Sequence, residues 1–264
     1  MSATVTGDFR TALHQLTRAI FLEAIRRREF YVLLLFMGLY LIGALIVRVV
    51  GVADAATAAF VLNLGLTLAF FLGHLMTLLL SVRAIPEEIE TRTIYPLLAK
   101  PLARHHYLVA KWFAAWLTGC FTCLVLLLLG WAPAPHPGTL DLGTFLQAVL
   151  LQVTSLAMLA AVGVLLSIFW PKSVNLVVLL VLLLAGHRLI VAVRGHLPSQ
   201  WWANAVDWCL RYVPDFGILN LIDRYTDGVG PLGATDVALR IVYAAIVTVT
   251  ALAWGCYAFH RRGL

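Results

Sequence analysis

The sequence predicts an all-α, polytopic membrane protein, and two observations carry that prediction. The 264 residues are 62% hydrophobic and only 12% charged, whereas a water-soluble domain carries about a quarter charged residues. So few charges cannot cover a water-facing globule of this length, and the mean hydropathy is +0.92. Six stretches, at about 30–50, 60–82, 107–130, 144–169, 173–193 and 237–259, each reach the roughly 20 apolar residues that a spanning helix needs. Together they occupy about half the chain and leave no room for a soluble catalytic domain. Disordered, collagenous and small disulfide-rich classes fall to the same composition.

In chain order, residues 8–28 come first. Phe9, Leu13, Leu16, Ile20 and Ala24 share one helical face, with Arg10, His14 and Arg18 opposite, which describes an amphipathic helix lying in the interface. Span one follows Arg26, Arg27 and Arg28. Its apolar run of about 21 residues exceeds the 7–15 of a signal-peptide core, so it reads as an uncleaved span. Span two carries Asn63, Thr67, His74, Thr77 and Ser81, all within about 40° of the line through Asn63 on a helical wheel. Lipid penalises such a face, so it looks onto protein or a water-filled cleft; interhelical hydrogen bonding and a substrate path are equally good explanations. No acid lies in any span, so His74 has no carboxylate for a proton relay.

Segment 83–106 opens with Pro86, Glu87 and Glu88, a proline and acids suited to a helix start. A helix from Pro86 to Tyr95 would expose Ile85, Ile89 and Ile94, an apolar surface that a protein partner should cover. In span three, Ala115, Gly119 and Cys123 recur every fourth residue and read as helix packing, which also accounts for the Cys120–Cys123 spacing better than redox or metal chemistry. Span four has a weaker stripe of Gln147, Thr154 and Met158, and His187 and Arg188 sit near the end of span five. Segment 195–236 holds Trp201, Trp202, Trp208, Tyr212, Phe216 and Tyr225. That density of aromatics belongs at the headgroup level, and Pro198 and Pro214 break it into short interfacial or re-entrant helices before span six.

Six spans put both termini on one side. That side collects Arg10, Arg18, Arg26, Arg27, Arg28, Arg83, Arg92, Lys100, Arg104, Lys111, Lys172, Arg261 and Arg262. The other holds only Arg48, Arg188, Arg194, Arg211, Arg224 and Arg240, so the positive-inside rule places both termini in the cytoplasm. The net charge of +6 therefore reflects orientation, and no basic, aromatic-interleaved stretch suggests nucleic acid. No G-x-x-x-x-G-K-[ST], H-E-x-x-H or G-x-S-x-G motif occurs, and His105 and His106 read as solvated loop residues.

The 83–111 segment resembles the permease subunits of ABC type-2 exporters. The matching residues are Glu88 and Glu90, Thr93, Leu97 and Leu98, Pro101, Arg104 and Lys111; Arg92 and Ala110 stand where glycine is common. Phe259 to Leu264, the Val213 to Phe216 patch and the six spans match in outline. The resemblance implies a single permease domain over 1–264 in a bacterial-type inner membrane. It implies a partner ABC ATPase in two copies, which carries ATP and magnesium, and a second copy of this chain or a related permease. Glu87, Glu88, Glu90, Arg92, Thr93 and Arg104 would form the ATPase-coupling surface, and Asn63, Thr67, His74, Thr77 and Ser81 the translocation path. No catalytic residue, metal or cofactor is expected in this chain. Two other readings stand beside export: a permease-like subunit transmitting force to an extracytoplasmic partner protein, and a membrane-embedded enzyme using His74, His187 or Arg188. The second lacks a paired acid and base on one face.

Overall fold

The computed structural model describes residues 28–50, 55–90, 104–131, 141–196 and 213–261. Its helices are α1 (Arg28–Val50), α2 (Ala55–Arg83), α3 (Pro86–Glu90), α4 (Arg104–Trp131), α5 (Leu142–Phe169), α6 (Lys172–His196), α7 (Ile222–Thr226) and α8 (Ala234–Arg261), with a 3₁₀ turn at Gly217–Leu219. No strand occurs among the described residues. Six helices, α1, α2, α4, α5, α6 and α8, are long and apolar enough to cross a membrane, in the six places the sequence indicates. The amphipathic helix expected over 8–28 lies outside the described residues except for Arg28, which opens α1. Arg92, Thr93 and the aromatics from Trp201 to Tyr212 also lie outside them.

Helix ends follow local chemistry. Asp141 caps α5, its carboxylate accepting from Gly143 N at 3.2 Å, Thr144 N at 3.0 Å and Thr144 Oγ1 at 2.9 Å. Those bonds, the Thr144 hydroxyl first, hold the Asp141 carboxyl below the usual range. At the other end of α5, Trp170 turns extended (ψ 149°) ahead of Pro171, as a residue before proline must. The chain then re-enters helix at once, with Asn175 N donating to Pro171 O at 3.1 Å. Spans five and four thus form a tight hairpin.

The bundle is built around α2 and α5. The most apolar stretch of α2 is 67% buried and that of α5 61%, against 28%, 17% and 22% for α1, α6 and α8. Outward residues of those three peripheral helices, among them Leu35, Ile42, Val181, Leu189, Ile246 and Trp254, are exposed apolar groups suited to lipid. Helices α2 and α4 cross at backbone contact: a Cβ on Gly65 would lie 3.0 Å from Gly130 O, and one on Gly130 2.9 Å from Gly65 O. The Tyr40 hydroxyl of α1 seals that crossing from the side, within 3.1 Å of both Val61 O and Gly130 O. Helix α4 is joined to α5 by Trp112 Nε1 and Trp116 Nε1, which donate at 3.0 Å to Ala157 O and Val153 O.

The ends of the bundle differ. At the end of α2 marked by Arg83, a second cluster of Ala84, Ile85, Tyr107, Leu108, Val164, Ile168 and Phe259 closes the bundle. Ile85 is only 1% exposed there. The expectation that Ile85 offers apolar surface to a partner is therefore corrected: the chain covers it itself, because the turn at Ala84 and Ile85 directly after Arg83 packs against α4, α5 and α8. At the opposite end, marked by Asp223, the segment 213–233 dips into the bundle. Phe216, Leu219, Leu221, Ile222 and Tyr225 join the main core. Asn63, which hydrogen-bonds α7, lies about 12 Å along α2 from Ala55 at 1.5 Å per residue. Residues 213–233 thus re-enter the helix bundle. Its return to α8 turns through Gly228 (φ 66°) and Gly230 (φ 81°), where only glycine is unstrained.

Candidate functional site

The polar stripe of α2 is one line in sequence and two environments in space. Its half toward the Asp223 end is accessible. Asn63 Nδ2 donates to Thr226 Oγ1 at 2.8 Å and to Asp223 Oδ1 at 3.2 Å, while the exposed Thr67 hydroxyl donates to Asn63 Oδ1 at 3.0 Å. The half toward Arg83 is enclosed: Thr77 and Ser81 have no exposed surface. Their hydroxyls donate along their own helix, to Gly73 O and Leu78 O, each at 3.0 Å. Thr77 rests on Gly119 of α4, and Ser81 on Gly163 of α5.

Geometry explains the split. Gly65, Ala69, Gly73, Thr77 and Ser81 form one i+4 ridge of small residues, which drifts about 40° around the helix at each step and merges with the polar stripe at Thr77. Thr77 and Ser81 matter there for their size, which lets α4 and α5 come close. The four-residue repeat on α4 is the other side of that groove, with Gly119 under Thr77 and Cys123 against Gly73. Packing is thus a sufficient account of Cys123 and Gly119.

His74 stands where the halves meet. Its Nδ1 lies 2.9 Å from Phe70 O and, since a carbonyl only accepts, that nitrogen donates; its Nε2 lies 2.9 Å from the Ser155 hydroxyl, which then donates to it. Gln152 Nε2 donates to the same Phe70 carbonyl at 3.2 Å and lies 3.0 Å from the His74 ring. The weaker stripe assigned to α5 misses this pair. Gln152 and Ser155 are three residues apart and face the same way, a signal present in the sequence, whereas Gln147 instead clamps Leu232 N and O at 2.8 and 3.0 Å.

Between α2, α5, α6 and the segment 216–222 lies a cleft of about 170 Å³. Thr67, His74, Gln152 and Asn220 supply its polar lining, and Phe70, Phe71, Leu183, Leu184, Phe216 and Ile222 its apolar walls. At its α6 side the His187 Nδ1 nitrogen lies 2.9 Å from Asp215 Oδ2. Asp215 also accepts from Gly217 N at 2.9 Å through Oδ1, and its own N–H donates to the Tyr243 hydroxyl at 2.9 Å. This pairing joins α6, the re-entrant segment and α8. It is not legible in sequence, because 28 residues separate its members and no period connects them.

The Arg83 end holds the described part of the loop. Glu87 and Glu90 lie on α3, which is continuous with α2 through the turn at Ala84 and Ile85. Glu90 Oε2 pairs with Lys172 Nζ of α6 at 2.8 Å, and Arg83 Nη1 with Glu29 Oε1 of α1 at 2.6 Å. Glu88 is on the α3 backbone and Arg104 begins α4, their side chains falling outside the description, as do Arg92 and Thr93 altogether. His105 and His106, expected in a loop, occupy the first turn of α4 with ring centroids 4.1 Å apart. No cluster of three metal-ligating side chains occurs among the described residues.

A family model described as ABC-2 family transporter protein matches residues 6–264. No curated protein matches the chain.

Proposed function

The chain belongs to the ABC-2 transporter family and is a membrane permease component of an ABC transporter; on that premise we propose that it is the transmembrane subunit of an ATP-driven exporter. One observation supports the reading most directly. Helix α3, the start of the loop that would meet an ATPase, continues from α2 and is ion-paired through Glu90 to α6. Those two helices wall the cleft. A push on α3 therefore reaches both walls, one through the chain and one through a charge pair.

In this reading the Arg83 end and both termini are cytoplasmic in an inner membrane, as the basic residues require. Two copies of a separate ATPase bind and hydrolyse ATP with magnesium, and two permease chains meet around the path. Glu87, Glu88, Glu90, Arg92, Thr93 and Arg104 form the docking rim. The substrate-facing part of the α2 stripe is the accessible half, Asn63 and Thr67, with His74 at its floor, while Thr77 and Ser81 hold the helices together behind it.

The double reversal Glu88→Arg with Glu90→Arg tests the coupling surface. Rim charges of this kind act on docking and its salt dependence. The variant should insert normally and lose ATPase co-purification and stimulated hydrolysis at least tenfold. Full binding and coupling in that variant would remove this loop from the interface.

A further inference from the structure

The cleft described above has a lining that selects the chemistry of its occupant. Among the described residues, none that lines it is Asp, Glu, Lys or Arg. An ionised group seated against these residues would lose hydration and meet no opposite charge among them, at a penalty of several kcal/mol. Hydrogen-bonding capacity of both kinds nevertheless remains. The Thr67 hydroxyl gives its proton to Asn63 Oδ1, so its oxygen is left to accept. Asn220 takes Ile222 N on its Oδ1 at 3.0 Å, so its amide N–H groups are left to donate. Beside these stand two phenylalanines and two leucines, Phe70, Phe71, Leu183 and Leu184, of which Leu184 is 56% exposed at the rim.

Depth and size add two constraints. Thr67 lies about 18 Å and His74 about 28 Å along α2 from Ala55, in a helix about 43 Å long, so the cleft occupies its middle. In an undisturbed bilayer a lipid keeps its polar neck at the interface, outside an apolar layer about 30 Å thick. A volume of about 170 Å³ is close to that of an apolar cavity that takes up benzene, enough for a small neck and its first carbons but not a whole molecule.

We infer that this cleft binds the uncharged, hydroxyl- or amide-bearing neck of a membrane amphiphile midway between the leaflets, with its hydrocarbon leaving past Leu184. The inference rests on the exporter reading and names the class of substrate that the exporter would carry.

The test uses the full chain in phosphatidylcholine nanodiscs containing a monoacylglycerol with a diazirine beside its glycerol. Illumination and peptide mass spectrometry should place adducts on Phe70, Phe71, Leu183 or Leu184. Unlabelled monoacylglycerol should compete, and the fatty-acid anion of the same chain length should not. Leu184→Trp, a rim change that fills the opening, should lower labelling at least tenfold. Thr67→Val, which keeps the shape and removes one acceptor, should weaken competition about fivefold, the worth of one net hydrogen bond. Equal labelling of the outward faces of α1 and α8, insensitivity to Leu184→Trp, or equal competition by the anion would overturn the site. ATPase co-purification with the wild-type chain is scored separately. Assembly without cleft labelling removes the site and leaves the exporter reading, and cleft labelling without assembly does the reverse.

Discussion

The two halves of α2 carry the same kind of side chain and serve opposite ends. From Gly73 to Ser81 the small polar residues disappear into contacts with Gly119, Cys123 and Gly163, and their hydroxyls turn back onto their own helix. Thr67 instead supports Asn63, which reaches across 160 residues of chain to Asp223 and Thr226, and the surface beside them is open. Polarity alone does not decide which; the partner helix does. Where α4 and α5 present glycine, a threonine or serine is a spacer of the right size, and where the re-entrant segment presents carboxylate and hydroxyl, an asparagine is their ligand.

That contrast can be broken most severely at Gly119. Any side chain there meets Thr77, so Gly119→Leu should force α2 and α4 apart and cost about 3 kcal/mol, the upper range for overpacking. A thermal-unfolding midpoint in detergent should fall sharply, and an unchanged midpoint would remove the close-packed half from the comparison. At the boundary, His74→Leu withdraws one partner from Ser155 and one from Phe70 O, an expected loss of about 1–2 kcal/mol. If the protein that survives this change transports as well as the parent, His74 belongs wholly with the packing half. The smallest effect is expected from Asn63→Ala, about 1 kcal/mol or less, since the lost bonds are part-exposed. Its signature is local: cysteine labelling at Thr226→Cys should rise as α7 loses its tie, with the midpoint nearly unmoved.

The spans were legible because hydropathy sums over about 20 residues, and single errors average out. The site was legible in part. Thr67 and His74 do border the cleft, with Asn63 bonded to Thr67 one turn away, and their helical spacing placed them on one line. Thr77 and Ser81 share that spacing but also belong to the small-residue ridge from Gly65, and a wheel drawn for polarity cannot separate the two roles. Gln152, Ser155 and the His187–Asp215 pair depend on which helices become neighbours, a property of packing that no local period records. Ile85 was misjudged for the same reason: its apolar side chain announces burial, and only the turn after Arg83 says against what.

The pair between Glu90 and Lys172 has a mechanical consequence. Both side chains are about half exposed, at 56% and 50%, and exposed pairs of this kind are worth about 0.2–1 kcal/mol. Thermal energy at room temperature is about 0.6 kcal/mol, so α3 and α6 engage and release continually at the bundle's edge. The junction behaves as a clutch. Helix α2 is a rigid shaft leaving α3 through the backbone, while α6 follows only during the fraction of time that the clutch is closed, and raising the ionic strength shortens that fraction. Two walls of one cleft are thereby tied with different stiffness to a single five-residue helix, so a displacement of that helix would shear them past one another.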